Sequence, residues 1–118
     1  MKSNYFKPEE FVCKCGCESN DMKTSTLIKL EYARVSANIP FIITSGYRCK
    51  THNEAVGGKP SSAHTKGYAV DIKASGSAER FLIITALLQA GFNRIGFAKT
   101  FIHVDDDPSL PKNVIWDY

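Results

Sequence analysis

Few residues in this sequence are equipped for chemistry, and most of them fall into two groups. The chain has three histidines, of which His64 and His103 lie beside short polar or acidic segments next to stretches that read as strands. Zinc is held by neutral imidazole nitrogens and carboxylate oxygens at roughly 2.0–2.2 Å, and a catalytic site takes three such ligands and leaves a fourth position to water. His64 on a loop entering a strand, Asp71 on that strand and His103 on a neighbouring strand would supply such a set. The same residues have an ordinary reading as well. A histidine beside a strand is commonly a hydrogen-bonded structural residue, and an aspartate within an apolar strand pairs with a backbone amide or a lysine.

The second group is made of cysteines. Cys13, Cys15 and Cys17 alternate in Phe11-Val12-Cys13-Lys14-Cys15-Gly16-Cys17, and Cys49 directly follows Arg48. This is not the C-x₂-C spacing of a zinc knuckle. Three readings compete: a disulfide from the N-terminal loop to Cys49, a structural metal site on several thiolates, or reduced buried thiols. A tie between that loop and the turn at Cys49 would help a small domain, which favours either crosslink over free thiols. The spacing does not separate disulfide from metal.

The elements that must position these groups follow from periodicity and punctuation. Thr24 to Ala37 spaces Leu27, Ile28, Leu30, Tyr32 and Val35 as a helix with one broad apolar face, stopped by Asn38 and Pro40. Phe41 to Ile43 reads as a buried strand delivering Ser45 to Cys49 at its end. Thr51 to Glu54 fits a capping box for a short helix that ends at Gly57-Gly58. Gly58 to Lys66 has loop composition and leads His64 into a strand at Tyr68 to Ile72. Ser77 to Ala90 reads as a second long helix with Phe81, Ile84 and Leu88 on one face and Leu82, Ile83 and Leu87 beside them, ending at Gly91. Arg94 to Ala98 and Thr100 to Val104 predict a tight hairpin or a bent continuous strand, and Val114 to Trp116 an edge strand. Helices and strands do not alternate strictly. The expected class is therefore α+β, a mostly antiparallel sheet with two longer helices and one short one.

At 118 residues, 43% hydrophobic and 23% charged, the composition is that of one globular domain spanning 1–118, with the cysteine-containing loop 11–20 packed on it. The net charge of +3 comes from scattered Lys and Arg rather than a basic stripe, which argues against nucleic-acid binding and is compatible with an anionic polymer as target. No stretch is long enough to insert in a membrane. Met1 to Phe11 carries Lys2, Lys7, Glu9 and Glu10 without an apolar run, so no secretory signal is expected there. A monomer is expected.

Taken in order, Ser45-Gly46-Tyr47-Arg48, His52-Asn53, Val56-Gly57-Gly58, Ser62-Ala63-His64-Thr65-Lys66-Gly67-Tyr68-Ala69-Val70-Asp71-Ile72 and Phe101-Ile102-His103-Val104-Asp105 resemble the D-alanyl-D-alanine carboxypeptidase-like zinc peptidases. That group includes phage endolysins and shares its fold with the hedgehog signalling domain. The ordered similarity covers roughly residues 41 to 105, with a looser match near the N-terminus. The resemblance implies that His64, Asp71 and His103 hold a catalytic Zn²⁺, that the substrate is a peptidoglycan stem peptide, and that Arg48 binds its carbonyl or carboxylate and stabilises charge in the transition state. It implies peptide-bond hydrolysis of carboxypeptidase or endopeptidase type. A chain without an export signal would then reach the cell wall by phage-type or other release.

Some relatives place a carboxylate a few residues ahead of the last histidine. Here that segment, Gly96 to Phe101, has none, which leaves Asp105, two residues beyond His103 and on the same strand face, as general base or as a residue that orients a ligand. The missing carboxylate also keeps open a non-catalytic hedgehog-like zinc domain or a cell-wall binding module. Ser62 and Tyr47 are candidate substrate contacts, Ser62 also being a residue that shapes its loop. Tyr68 could line the groove. His52 reads as a first-turn helix residue exposed near the cleft, ahead of the alternative of an accessory substrate contact.

Overall fold

The computed structural model describes residues 4–17 and 19–118. Residues 1–3 and Glu18, which belong to the N-terminal segment and the cysteine loop considered above, lie outside the described residues. A 3₁₀ turn at Pro8–Phe11 precedes helix α1, Thr24–Ala37. Asn38 closes α1 in the left-handed conformation at φ 56°, two residues before Pro40, as the sequence predicts.

The buried face of α1 differs from expectation. Ile28, Tyr32 and Val35 are exposed, and the buried residues are Thr26, Leu30 and Ala33. Strand β1 is Ile43–Ser45, two residues later than predicted; Phe41 and Ile43 are buried while Ile42 between them is exposed. The run alternates instead of being buried throughout, because Phe41 and Ile43 face the core and Ile42 faces the other way.

Helix α2, Lys50–Ala55, is capped by Cys49 and not by Thr51: the Cys49 sulfur accepts the backbone N–H of His52. The expected capping box therefore does not form. The predicted loop before the next strand contains a 3₁₀ turn, Ala63–Lys66, which carries His64 and is capped by the Ser62 hydroxyl accepting from the His64 N–H. Strand β2 is Ala69–Lys73 and helix α3 is Ser77–Gln89. On α3 the buried residues are Ile83, Ala86 and Leu87, with Phe81, Leu82 and Leu88 exposed. Strands β3, Arg94–Phe97, and β4, Phe101–Asp105, form the expected hairpin, and β5 is Val114–Asp117.

The five strands form one mixed sheet in the order β1-β2-β4-β3-β5, with three antiparallel pairings and a parallel one between β3 and β5. The α+β expectation holds, the edge strand β5 supplying the parallel pair. One sheet face carries Val70, Ile72, Ile95, Ile102 and Val104 into a core shared with Leu30, Ala33, Ile83, Ala86, Leu87 and Phe92. Because strand side chains alternate between faces, Asp71 and His103 must point the other way. Helices α1 and α3 thus cover one face, and the polar residues collect on the other.

Candidate functional site

The sheet register sets the site. Directly paired residues share a face, and the pairs Ser45–Asp71, Asp71–His103, His103–Gly96 and Gly96–Trp116 form one row across all five strands. A register irregularity between Ile43 and Ser45 brings Ser45 opposite Asp71. Gly96 is the gap in this row: a Cβ there would lie 2.6 Å from the Trp116 indole, so glycine lets the ring lie across β3 toward His103. The Trp116 and His103 ring centroids are 5.5 Å apart.

Three side chains converge in the middle of the row. His64 Nε2 lies 3.2 Å and His103 Nδ1 3.0 Å from Asp71 Oδ1, and the three residues are buried. The remaining imidazole nitrogens are committed elsewhere. His64 Nδ1–H donates to the Gly46 carbonyl at 2.8 Å, and His103 Nε2–H donates to Asp105 Oδ2 at 2.7 Å. In the neutral tautomers these bonds fix, two nitrogen lone pairs and a carboxylate oxygen face one another. Such an arrangement is favourable only with a proton or a cation among them.

Tetrahedral zinc with ligands near 2.0–2.1 Å requires ligand atoms about 3.3 Å apart, close to both separations here. Chemistry and spacing both fit that ion. With a proton in place of a cation, burial opposes ionisation of Asp71, but hydrogen bonds with His103 and His64 hold its carboxyl well below the usual range. Burial likewise opposes charge on His103, and its bonds to Asp105 and Asp71 raise its pKa nonetheless.

A cleft of about 550 Å³ opens over this centre, and Arg48, Ser62, Asp105, Arg94, Trp116 and Tyr118 are among its lining residues. The Arg48 guanidinium bonds Ser45 Oγ at 3.1 Å, Asn53 Oδ1 at 3.3 Å and Asp71 Oδ2 at 3.4 Å. Asp105 engages both oxygens, Oδ2 with His103 and Oδ1 with Arg94 Nε at 2.7 Å, and is 1% exposed. Tyr47 and Tyr68 are elsewhere, in a more open depression of about 650 Å³ with Asp21 and Lys66 that includes none of the three converging residues. His52 is half-buried on α2 and is not among the cleft residues.

Arg94, Trp116 and Tyr118 were not singled out from the sequence. A glycine inside the predicted strand at Gly96 and two aromatic residues at period two after Ile115 were the available signals. The second group of candidates also comes together, since Cys13, Cys15, Cys17 and Cys49 place their sulfurs within 4.8 Å of one another.

No curated protein matches this sequence. The family model for peptidase M15 matches residues 4–105, which takes in the N-terminal cysteines as well as all three converging residues. The chain belongs to the peptidase M15 family, the D-Ala-D-Ala carboxypeptidase-like zinc peptidases.

Proposed function

We propose that this chain hydrolyses peptide bonds in the stem peptides of bacterial peptidoglycan, as a single domain and a monomer, with His64, Asp71 and His103 holding one zinc ion. The observation that carries this reading is the convergence of two imidazole lone pairs and one carboxylate oxygen beneath an open cleft, at separations of 3.2 and 3.0 Å. Family membership supplies the reaction class.

A zinc ion bound there supplies a Lewis acid for the scissile carbonyl and lowers the pKa of water toward about 7. The protein's own groups do the rest. The Gly46 carbonyl and Asp105 hold the outward imidazole protons, so the inward nitrogens stay available as ligands. Arg48 presents a fixed fork of donors at the cleft wall, suited to a carbonyl oxygen gaining charge or to a carboxylate. Ser62 acts by capping the turn that carries His64. Trp116 and Tyr118 offer an aromatic wall to the peptide. Asp105, with both oxygens engaged, is read as a positioning residue acting through His103.

The deciding experiment is mass spectrometry of purified peptidoglycan digested with zinc-loaded protein beside a chelated control. New chelator-sensitive termini are expected, and their masses name the bond and separate carboxypeptidase from endopeptidase action. Folded, zinc-containing protein that releases nothing from walls of several chemotypes would overturn the reading and leave a hedgehog-like binding domain in its place.

A further inference from the structure

We infer that Cys13, Cys15, Cys17 and Cys49 form a second, structural zinc site, a tetrathiolate separate from the centre in the cleft. Three of the sulfurs make a nearly equilateral triangle: Cys13 to Cys15 is 3.4 Å, Cys15 to Cys49 is 3.5 Å and Cys13 to Cys49 is 3.6 Å. The fourth, Cys17, lies within 4.8 Å of each. Four thiolates at about 2.3 Å from one zinc ion stand about 3.8 Å apart, so the cluster has the dimensions of a closed tetrahedral site and differs from them by a few tenths of an ångström.

A pair of disulfides would draw the sulfurs into two couples. Here no couple is singled out; each of the three measured sides matches the others. Backbone amides also point at two of the sulfurs. The Cys49 N–H donates to Cys13 Sγ at 3.3 Å and the His52 N–H donates to Cys49 Sγ at 3.4 Å. Amide donors aimed at sulfur stabilise thiolate charge, the form a metal requires and a disulfide lacks. All-sulfur tetrahedral ligation selects zinc or iron–sulfur chemistry among common centres, and a single-ion volume of this size selects zinc.

The site would tie two segments that meet at the edge of the cleft. Phe11 leads into the cysteine loop and its carbonyl accepts the Tyr47 N–H at 2.9 Å. A Cβ at Gly46 would lie 2.7 Å from Phe11 Cα, so the two chains touch through glycine. Gly46 is the residue whose carbonyl orients His64, and Arg48 is the neighbour of Cys49. A metal closing this contact would hold both supports of the cleft while remaining outside it.

The test uses the full chain purified without chelator or reductant. Zinc is counted against protein, thiols are titrated after denaturation in chelator, and Co²⁺ is exchanged into the protein. Expected are two zinc ions per chain, one for each ligand group, all four cysteines reactive as thiols, and the sulfur-to-cobalt charge-transfer absorption of a tetrahedral thiolate site. Cys17→Ser, at an exposed position chosen to spare folding, should abolish the tetrathiolate signature and bring the zinc count to one. His103→Ala should instead keep the cobalt–thiolate absorption, so this inference stands or falls apart from the peptidase reading. Loss of titratable thiols would identify disulfides and overturn the proposal. Four free thiols with one zinc ion and no cobalt–sulfur absorption would overturn it too.

Discussion

Asp105 is held between two cationic or proton-bearing partners, with His103 Nε2–H and Arg94 Nε each 2.7 Å from one of its oxygens. A carboxylate in that position fixes the imidazole tautomer and raises the basicity of the nitrogen turned to the metal. Asp105→Asn should therefore weaken zinc binding by about 10–100-fold, with cleavage recovering as free zinc is raised. Competition against a chromogenic chelator reads the affinity. Unchanged affinity with cleavage abolished would instead make Asp105 the general base. Arg48 makes a contrasting case. Its fork is anchored by Ser45 and Asn53, and Arg48→Lys keeps the charge but loses the fork. Cleavage should fall by about 10²–10³-fold in kcat while zinc content is unchanged, the loss typical of one transition-state donor. The three converging residues were legible in part: the scarcity of histidines, two of them beside predicted strands, suggested a metal group, and the ordered resemblance around Ser62 to Ile72 and Phe101 to Asp105 named its three members. Tyr47 could not be placed by the same logic. Its neighbours Gly46 and Arg48 face the cleft centre, yet the turn directs Tyr47 toward Asp21 and Lys66, and turn geometry is not written in residue type.

Three consecutive aspartates, Asp105, Asp106 and Asp107, end β4 and its exit, and each serves a different element. Asp105 orients His103, Asp106 receives the start of α1, and Asp107 receives Lys66 at the end of the turn that carries His64. Lys23, the residue before α1, gives the helix no side-chain cap, and the Asp106 carboxylate instead accepts from Ser25 Oγ at 3.0 Å, Thr26 Oγ1 and Lys29 Nζ at 3.1 Å. A negative group at a helix N-terminus also suits its dipole. Asp106→Ala should cost about 1–3 kcal/mol, chiefly through the buried Thr26 hydroxyl left unpaired, since the part-exposed lysine contributes little. Urea unfolding measures it, and zinc content should not change. A cost below about 0.5 kcal/mol would show that α1 is held by packing alone. This long-range cap explains what the sequence hid. Helix boundaries were readable from Asn38, Pro40 and Gly91, but the buried faces were not: α1 and α3 pack on each other, and their buried residues include the small Ala33 and Ala86 beside Leu30, Ile83 and Leu87. Counting large apolar residues instead pointed to Tyr32 and Phe81, which lie outside.

At the scale of the whole molecule, polar ties join distant segments on the sheet face opposite α1 and α3. One such tie should be visible in acid. Burial opposes ionisation of Asp107, but its bonds to Lys66 and Ser109 lower its pKa below the ordinary value. A carboxyl whose folded pKa is depressed contributes stability that is full above the unfolded value near 3.9 and is lost as pH falls through the folded one. The difference in unfolding free energy between the native chain and Asp107→Asn should therefore be constant above about pH 5 and shrink below about pH 4. A difference independent of pH would assign the effect to geometry and not to charge. Under the proposed zinc sites, metal would be the larger tie. A ligand that binds only the folded chain adds RT ln(1 + [L]/Kd), about 2.7 kcal/mol when free zinc is 100 times Kd. The cleft centre joins β2, β4 and the turn at Ala63–Lys66, and the thiolate site would join the N-terminal loop to the Cys49 turn. Chelation should therefore lower the unfolding temperature of the native chain more than that of either His103→Ala or Cys17→Ser, each of which retains one site. Their two chelator-sensitive shifts should sum to roughly the native shift, because the two centres share no ligand. A chelator response carried entirely by His103 would mean that the cysteines contribute no metal-linked stability.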